Sequence, residues 1–96
     1  MNQEKFELAL KRAHEAKDDY LTACRRWFER SLAWEMIVVA HMTDGMNAQD
    51  AWYRAGATAP GKDALVLLRD VEIQKQKAKY CLELAICELK GIIELK

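Results

Sequence analysis

Apolar positions at intervals of three and four residues run through the first half of the chain: Phe6, Leu10, Ala13, Tyr20, Cys24, Trp27, Trp34 and Val38, with the polar Lys17 and Ser31 as the two weak points. That spacing keeps one stripe on one side of a helix, close to a heptad seam. Beyond Trp27 the stripe widens. Phe28, Leu32, Met36, Ile37, Val39 and Met42 occupy further angles, so the second half of this helix needs cover on more than one side. The pattern predicts a first helix from about residue 3 to about residue 42, roughly 60 Å long at 1.5 Å per residue. Asp44-Gly45 supplies the stop, because both residues tolerate the left-handed conformation that ends helices.

Asn47 is suited to cap a second helix, and Asp50 to sit in its first turn near the positive end of the helix dipole. This short helix is expected over about 48–55, stopped by Gly56, with Ala-Thr-Ala-Pro-Gly as the link to a third helix. That third helix is predicted from Lys62 to about residue 95, with the seam Leu68, Val71, Lys75, Ala78, Leu82, Ala85, Leu89 and Ile92. Residues 72–79, EIQKQKAK, read as a solvated face. Two long helices joined by about twenty residues fold back on each other. The fold expected is all-α: a long antiparallel hairpin with a short helix in the crossover, forming one domain over residues 1–96. If Ile37 lies opposite Leu68, paired residue numbers add to about 105, which puts Cys24 near Cys81 and Trp27 near Ala78. A hairpin covers one stripe per helix, and the surplus on helix one asks for a second copy, giving a dimer or larger helical bundle.

Fifteen basic residues balance fifteen acidic ones, without the positive field that non-specific nucleic-acid binding uses. The charged N-terminus has no apolar signal core and no uncharged run is long enough to span a membrane, so a cytoplasmic protein is expected. Three cysteines, Cys24, Cys81 and Cys87, lack a CxxC pair and read as reduced, half-buried thiols.

Signals for catalysis are sparse. His14 and His41 stand about 40 Å apart on a straight helix, too far to share a site. His14 can pair with Asp18 on the helix surface, and His41 reads as a half-buried packing residue. No Glu-x-x-His, HExxH, Cys/His knuckle or EF-hand loop is present, and no glycine-rich phosphate loop. The chain is expected not to be an enzyme and to hold no metal or cofactor.

Binding has three candidate features. Trp27, Phe28, Trp34, Trp52 and Tyr53 are of types that anchor protein interfaces, with Trp27 and Trp34 spaced for the core. Trp52 and Tyr53 are neighbours on one short helix and cannot both point inward, so one of them is expected toward the core and the other is the better partner-binding candidate. Arg25, Arg26 and Arg30 form a basic cluster in which Arg26 and Arg30 share a face at i, i+4 and could grip a phosphate or carboxylate, although Asp18, Asp19 and Glu29 could neutralise it locally.

The third feature is "NAQDAWYRAGAT", residues 47–58. Asn47, Ala48, Ala51, Arg54, Ala55, Gly56 and Thr58 resemble the helix-turn-helix segment of phage small terminase subunits. The resemblance implies a DNA-binding assembly protein, with Arg54, Thr58, Lys62 and Arg69 as DNA contacts. Size and architecture favour another expectation, a non-catalytic protein–protein interaction module, and together with the phage-like motif they suggest an inhibitor or adaptor of the kind phages deploy. Such a module would use Trp52 or Tyr53 as anchor and Arg25, Arg26 and Arg30 to set orientation.

Overall fold

A computed structural model of the chain describes residues 3–43 and 45–94. The protein is all-α: α1 spans Gln3–Ala40, α2 Ala48–Ala57 and α3 Ala59–Glu94. These helices contribute to two compact units. The first contains residues 1–24 and 74–96, and the second residues 25–73.

In the first unit, segments of α1 and α3 lie antiparallel. Ala9 is buried, and Phe6, Ala13, Ala16 and Tyr20 are half-buried, opposite half-buried Ala78, Leu82, Ala85, Leu89 and Ile92. The α3 positions are those of the expected seam. On α1, however, Ala9 is buried and Ala16 half-buried where Leu10 and Lys17 were expected to face inward. Leu10 and Lys17 are exposed. The Arg12 guanidinium donates to the Glu88 carboxylate at 2.9 Å across the two segments. Both side chains are about half exposed, so this pair orients more than it stabilises.

The second unit packs three helical segments around Trp34, Val38, Ala51 and Ala55, with Ile37, Met46, Ala64, Leu65 and Leu68 against them. α1 ends two residues earlier than expected. His41 N–H and Met42 N–H donate to the carbonyls of Val38 and Val39, a tightened last turn. The half-buried His41 adds its ring N–H to the Ile37 carbonyl, at 2.9 Å, and so satisfies a carbonyl that the helix end leaves open. Met46 N–H closes a turn on the Thr43 carbonyl, and Gly45 takes the φ of +78° that this turn requires. Asp44, the other half of the expected stop, lies outside the described residues.

α2 begins as expected: the Asn47 side chain accepts from Asp50 N–H at 2.8 Å. Its end differs from expectation. Gly56 does not stop the helix, which continues to Ala57 with Gly56 half-buried in its last turn. Nor is Ala-Thr-Ala-Pro-Gly a five-residue link. Thr58 alone separates α2 from α3, its backbone extended. Its N–H and hydroxyl both donate to the Ala55 carbonyl, and its hydroxyl oxygen accepts from Gly61 N–H at 3.1 Å. One residue thus closes α2 and caps α3. Pro60 falls in the first turn of α3, where a missing N–H costs nothing.

The helix pairing is offset from the expected register. Arg12 meets Glu88 and Trp27 meets Glu72, numbers that add to 100 and 99. Ala64 and Leu65 reach the Trp34 cluster along with Leu68, which sets α3 further along α1 than pairing Ile37 with Leu68 does. Residues 72–79 are not wholly solvated: Glu72 accepts from the Trp27 indole N–H at 3.4 Å, and Lys75 and Ala78 are half-buried.

Candidate functional site

α2 carries the aromatic pair. A ten-residue helix buries every fourth residue on one side, and here Ala51 and Ala55 take those positions against Trp34. The small alanines let α2 lie close to α1, and this closeness brings Trp52 onto the edge of Trp34. The two indoles meet at 5.6 Å between centroids and 89° between planes. Tyr53 meets Trp52 in the same edge-to-face manner, at 5.5 Å and 86°. Such arrangements set the positive rim of one ring against the negative face of another, adding roughly 0.5–1.5 kcal/mol each beyond area burial.

Three aromatic rings therefore form a chain from core to solvent. Trp34 is buried, Trp52 is 45% exposed and Tyr53 61% exposed. Neither α2 ring points fully inward, so the expectation of one core and one surface ring resolves into a graded pair, with Trp52 fixed by Trp34 and Tyr53 fixed by Trp52. Trp27 is half-buried, its N–H turned to Glu72. Phe28 is exposed on α1.

Arg25, Arg26 and Arg30 are all exposed, and none forms an ion pair with Asp18, Asp19 or Glu29. They do not share one face. Arg26, Arg30 and Trp34 stand in an i, i+4, i+8 row, so two of the arginines lead along α1 toward the indole on which Trp52 rests. Arg25 is turned about 100° from Arg26 and belongs with Phe28 and Leu32.

The DNA-contact candidates separate as well. Arg54, Lys62 and Arg69 are exposed, and Lys62 and Arg69 flank Leu65 and Val66 in a shallow depression on α3. The Thr58 hydroxyl, by contrast, is engaged on both sides by Ala55 and Gly61. The residues that carry the terminase resemblance have local structural roles: Asn47 caps, Ala51 and Ala55 are buried, Gly56 is half-buried in α2, and Thr58 joins two helices.

Among the described residues no three His, Cys, Asp or Glu side chains lie close enough to hold a metal ion. His14 is exposed and makes no ion pair with Asp18. Cys24 is half-buried as expected, whereas Cys81 and Cys87 are exposed, because α3 turns both away from its seam; all three are free thiols. The Tyr20 phenol is pushed above its ordinary range, chiefly by a hydrogen bond with the Cys24 side chain and by the charge that thiol can carry. Slight burial and the Glu83 carboxylate add to the effect. Among the described residues no helix is long and apolar enough to cross a membrane. Compared with known proteins, the chain matches no family model, no curated protein and no solved structure.

Proposed function

We propose that this chain is a non-catalytic protein–protein interaction module that works in the cytoplasm as an inhibitor or adaptor, of the kind phages use to occlude a surface of a larger complex. The observation that carries the reading is the Trp34–Trp52–Tyr53 ring chain. Exposed aromatic side chains lose rotamer freedom when a partner closes over them, and rings already held edge to face have less to lose. Trp and Tyr held this way are the side chains most enriched among binding hot spots. Arg26 and Arg30, with no acidic neighbour engaged, are placed to meet carboxylates on the rim of such a partner and to fix its orientation.

Affinity capture from the native cell tests the reading, comparing the wild-type chain with a Trp52→Ala, Tyr53→Ala double variant of equal helicity. A partner retained by the wild type and lost by the variant supports it. Equal capture by both removes the aromatic pair as the anchor.

A second reading is a DNA-binding assembly protein, favoured by the one-residue joint between α2 and α3 and by Lys62 and Arg69 on one face of α3. Phosphate contacts of this kind weaken steeply as salt rises. A duplex retarded at low salt and released at high salt supports this reading, and no retardation at low salt excludes it.

A further inference from the structure

Four large apolar side chains on one side of α1 have no cover within the second unit: Phe28, Leu32, Met36 and Val39 are 61%, 50%, 65% and 63% exposed. At 100° per residue they lie within about a quarter of the helix circumference, a continuous stripe turned away from the Trp34 and Val38 side. Single exposed leucines are ordinary, but a stripe of this length is a contact surface.

The exposed area argues what covers it. The chain exposes 7280 Å². A self-contained fold of its mass exposes ~5,700 Å², leaving a surplus of about 1,600 Å². That surplus belongs to the whole chain, and the stripe is its continuous part on α1; covering roughly 800 Å² of it on each copy makes an interface of standard size. The core is correspondingly thin: of the six buried apolar residues among the described ones, Ala9, Ala23, Ala51 and Ala55 are alanines, leaving Trp34 and Val38 as the large ones.

Charge points to the same occupant. The chain has no net charge, so two copies approach without repulsion. Arg25 stands one heptad before Leu32 at one end of the stripe, and Glu35 borders the other end; neither is engaged in an ion pair among the described residues.

We propose that this face of α1 is the interface with a second copy of the chain, with the two α1 helices antiparallel and Leu32 near the twofold axis. Phe28 then packs on the partner subunit's Met36, and Arg25 comes within reach of the partner subunit's Glu35. A twofold makes every such contact twice, which is how one modest stripe yields a closed dimer. The aromatic pair of α2 takes no part in it, so the dimer presents two anchors.

Sedimentation velocity at micromolar concentration tests the proposal. The wild-type chain is expected at twice the chain mass, Leu32→Glu at the mass of one chain, and Val66→Glu, at an exposed apolar site on α3, at twice the chain mass. The Trp52→Ala, Tyr53→Ala variant is expected to stay dimeric, which separates this interface from partner binding by α2. Should Leu32→Glu lose helicity, the wild-type thermal midpoint decides, since it rises with protein concentration only for a chain stabilised by association. A monomeric wild type, a dimeric Leu32→Glu variant or a concentration-independent midpoint overturns the proposal.

Discussion

Gly61 meets the carbonyl end of Ala55 so closely that a Cβ at position 61 would overlap the Ala55 carbonyl carbon and oxygen. The contact is backbone against backbone, between the first turn of α3 and the last turn of α2, and neither side has a flexible tip to move. Gly61→Ala therefore must separate the two helices or break the Thr58 bonds that join them. Overpacking of this kind costs about 1–3 kcal/mol, and equilibrium urea unfolding followed by circular dichroism is expected to show a loss in that range. An unchanged midpoint would mean that the joint has room for a side chain at position 61.

The other two helical glycines should behave in the opposite way. A Cβ on Gly56 would lie 3.8 Å from Leu65 and from Trp34, ordinary contact distances, and one on Gly91 would meet nothing within 4 Å. Neither backbone takes a positive φ. Alanine restricts the unfolded chain and suits a helix interior, so Gly56→Ala and Gly91→Ala are each expected to stabilise by roughly 0.5–1 kcal/mol. Thermal midpoints that fall would count against the helical placement of both residues.

These glycines mark where sequence reasoning succeeded and where it stopped. The α3 seam from Leu68 to Ile92 was legible throughout, because its inward positions follow the period of the helix. On α1 the same period selected Leu10 and Lys17, although Ala9 and Ala16 face inward, since counting by four and three from Phe6 passes over both alanines and alanine carries too weak a hydrophobic signal to shift the count. Pro60-Gly61 read as a link because both residues disfavour helix interiors. In the first turn that objection lapses, and the need for Gly61 arises from Ala55, a contact that only the packed α2 creates. The Trp52-Tyr53 pair was visible as a candidate. Its fixation by Trp34 was not, being a contact between residues eighteen apart in the chain.

Trp34 is the one large ring in the core cluster of the second unit, touching α2 through Ala51 and Ala55 and carrying Trp52 on its edge. Trp34→Ala removes that volume and is expected to cost about 3–5 kcal/mol, read by urea unfolding. Trp34→Phe keeps a ring and should cost less. The variants also test pre-organisation: if Trp34 fixes the pair, nitrogen-15 relaxation of the Trp52 indole N–H should show larger nanosecond motion in the Trp34→Phe protein than in wild type. Equal relaxation would remove Trp34 from that role.

The two helix caps of the second unit predict smaller effects. Asn47 holds Asp50 N–H, and the Thr58 hydroxyl holds Gly61 N–H. Asn47→Ala and Thr58→Ala are each expected to cost about 0.5–2 kcal/mol, and Thr58→Ser, which keeps the hydroxyl, much less. If Thr58→Ser is as damaging as Thr58→Ala, the methyl group and not the cap explains the residue.

Tyr20 gives the protein an alkaline limit. Its pKa is raised above the ordinary 10.0 by the Cys24 side chain first, through a hydrogen bond and then through charge, with Glu83 a lesser cause. A group whose proton is held more tightly in the folded state contributes stability that is fully present below its unfolded pKa. That contribution is lost as pH rises through the folded value, because the unfolded chain then releases the proton first. Stability is therefore expected to decline above pH 10.0, and Tyr20→Phe should reduce the decline. Cys24→Ala removes the largest cause, so the phenolate absorbance assigned to Tyr20, as the difference between chains with and without Tyr20→Phe, should appear at lower pH. If that difference titrates at the same pH with and without the Cys24 thiol, Cys24 does not set the Tyr20 pKa.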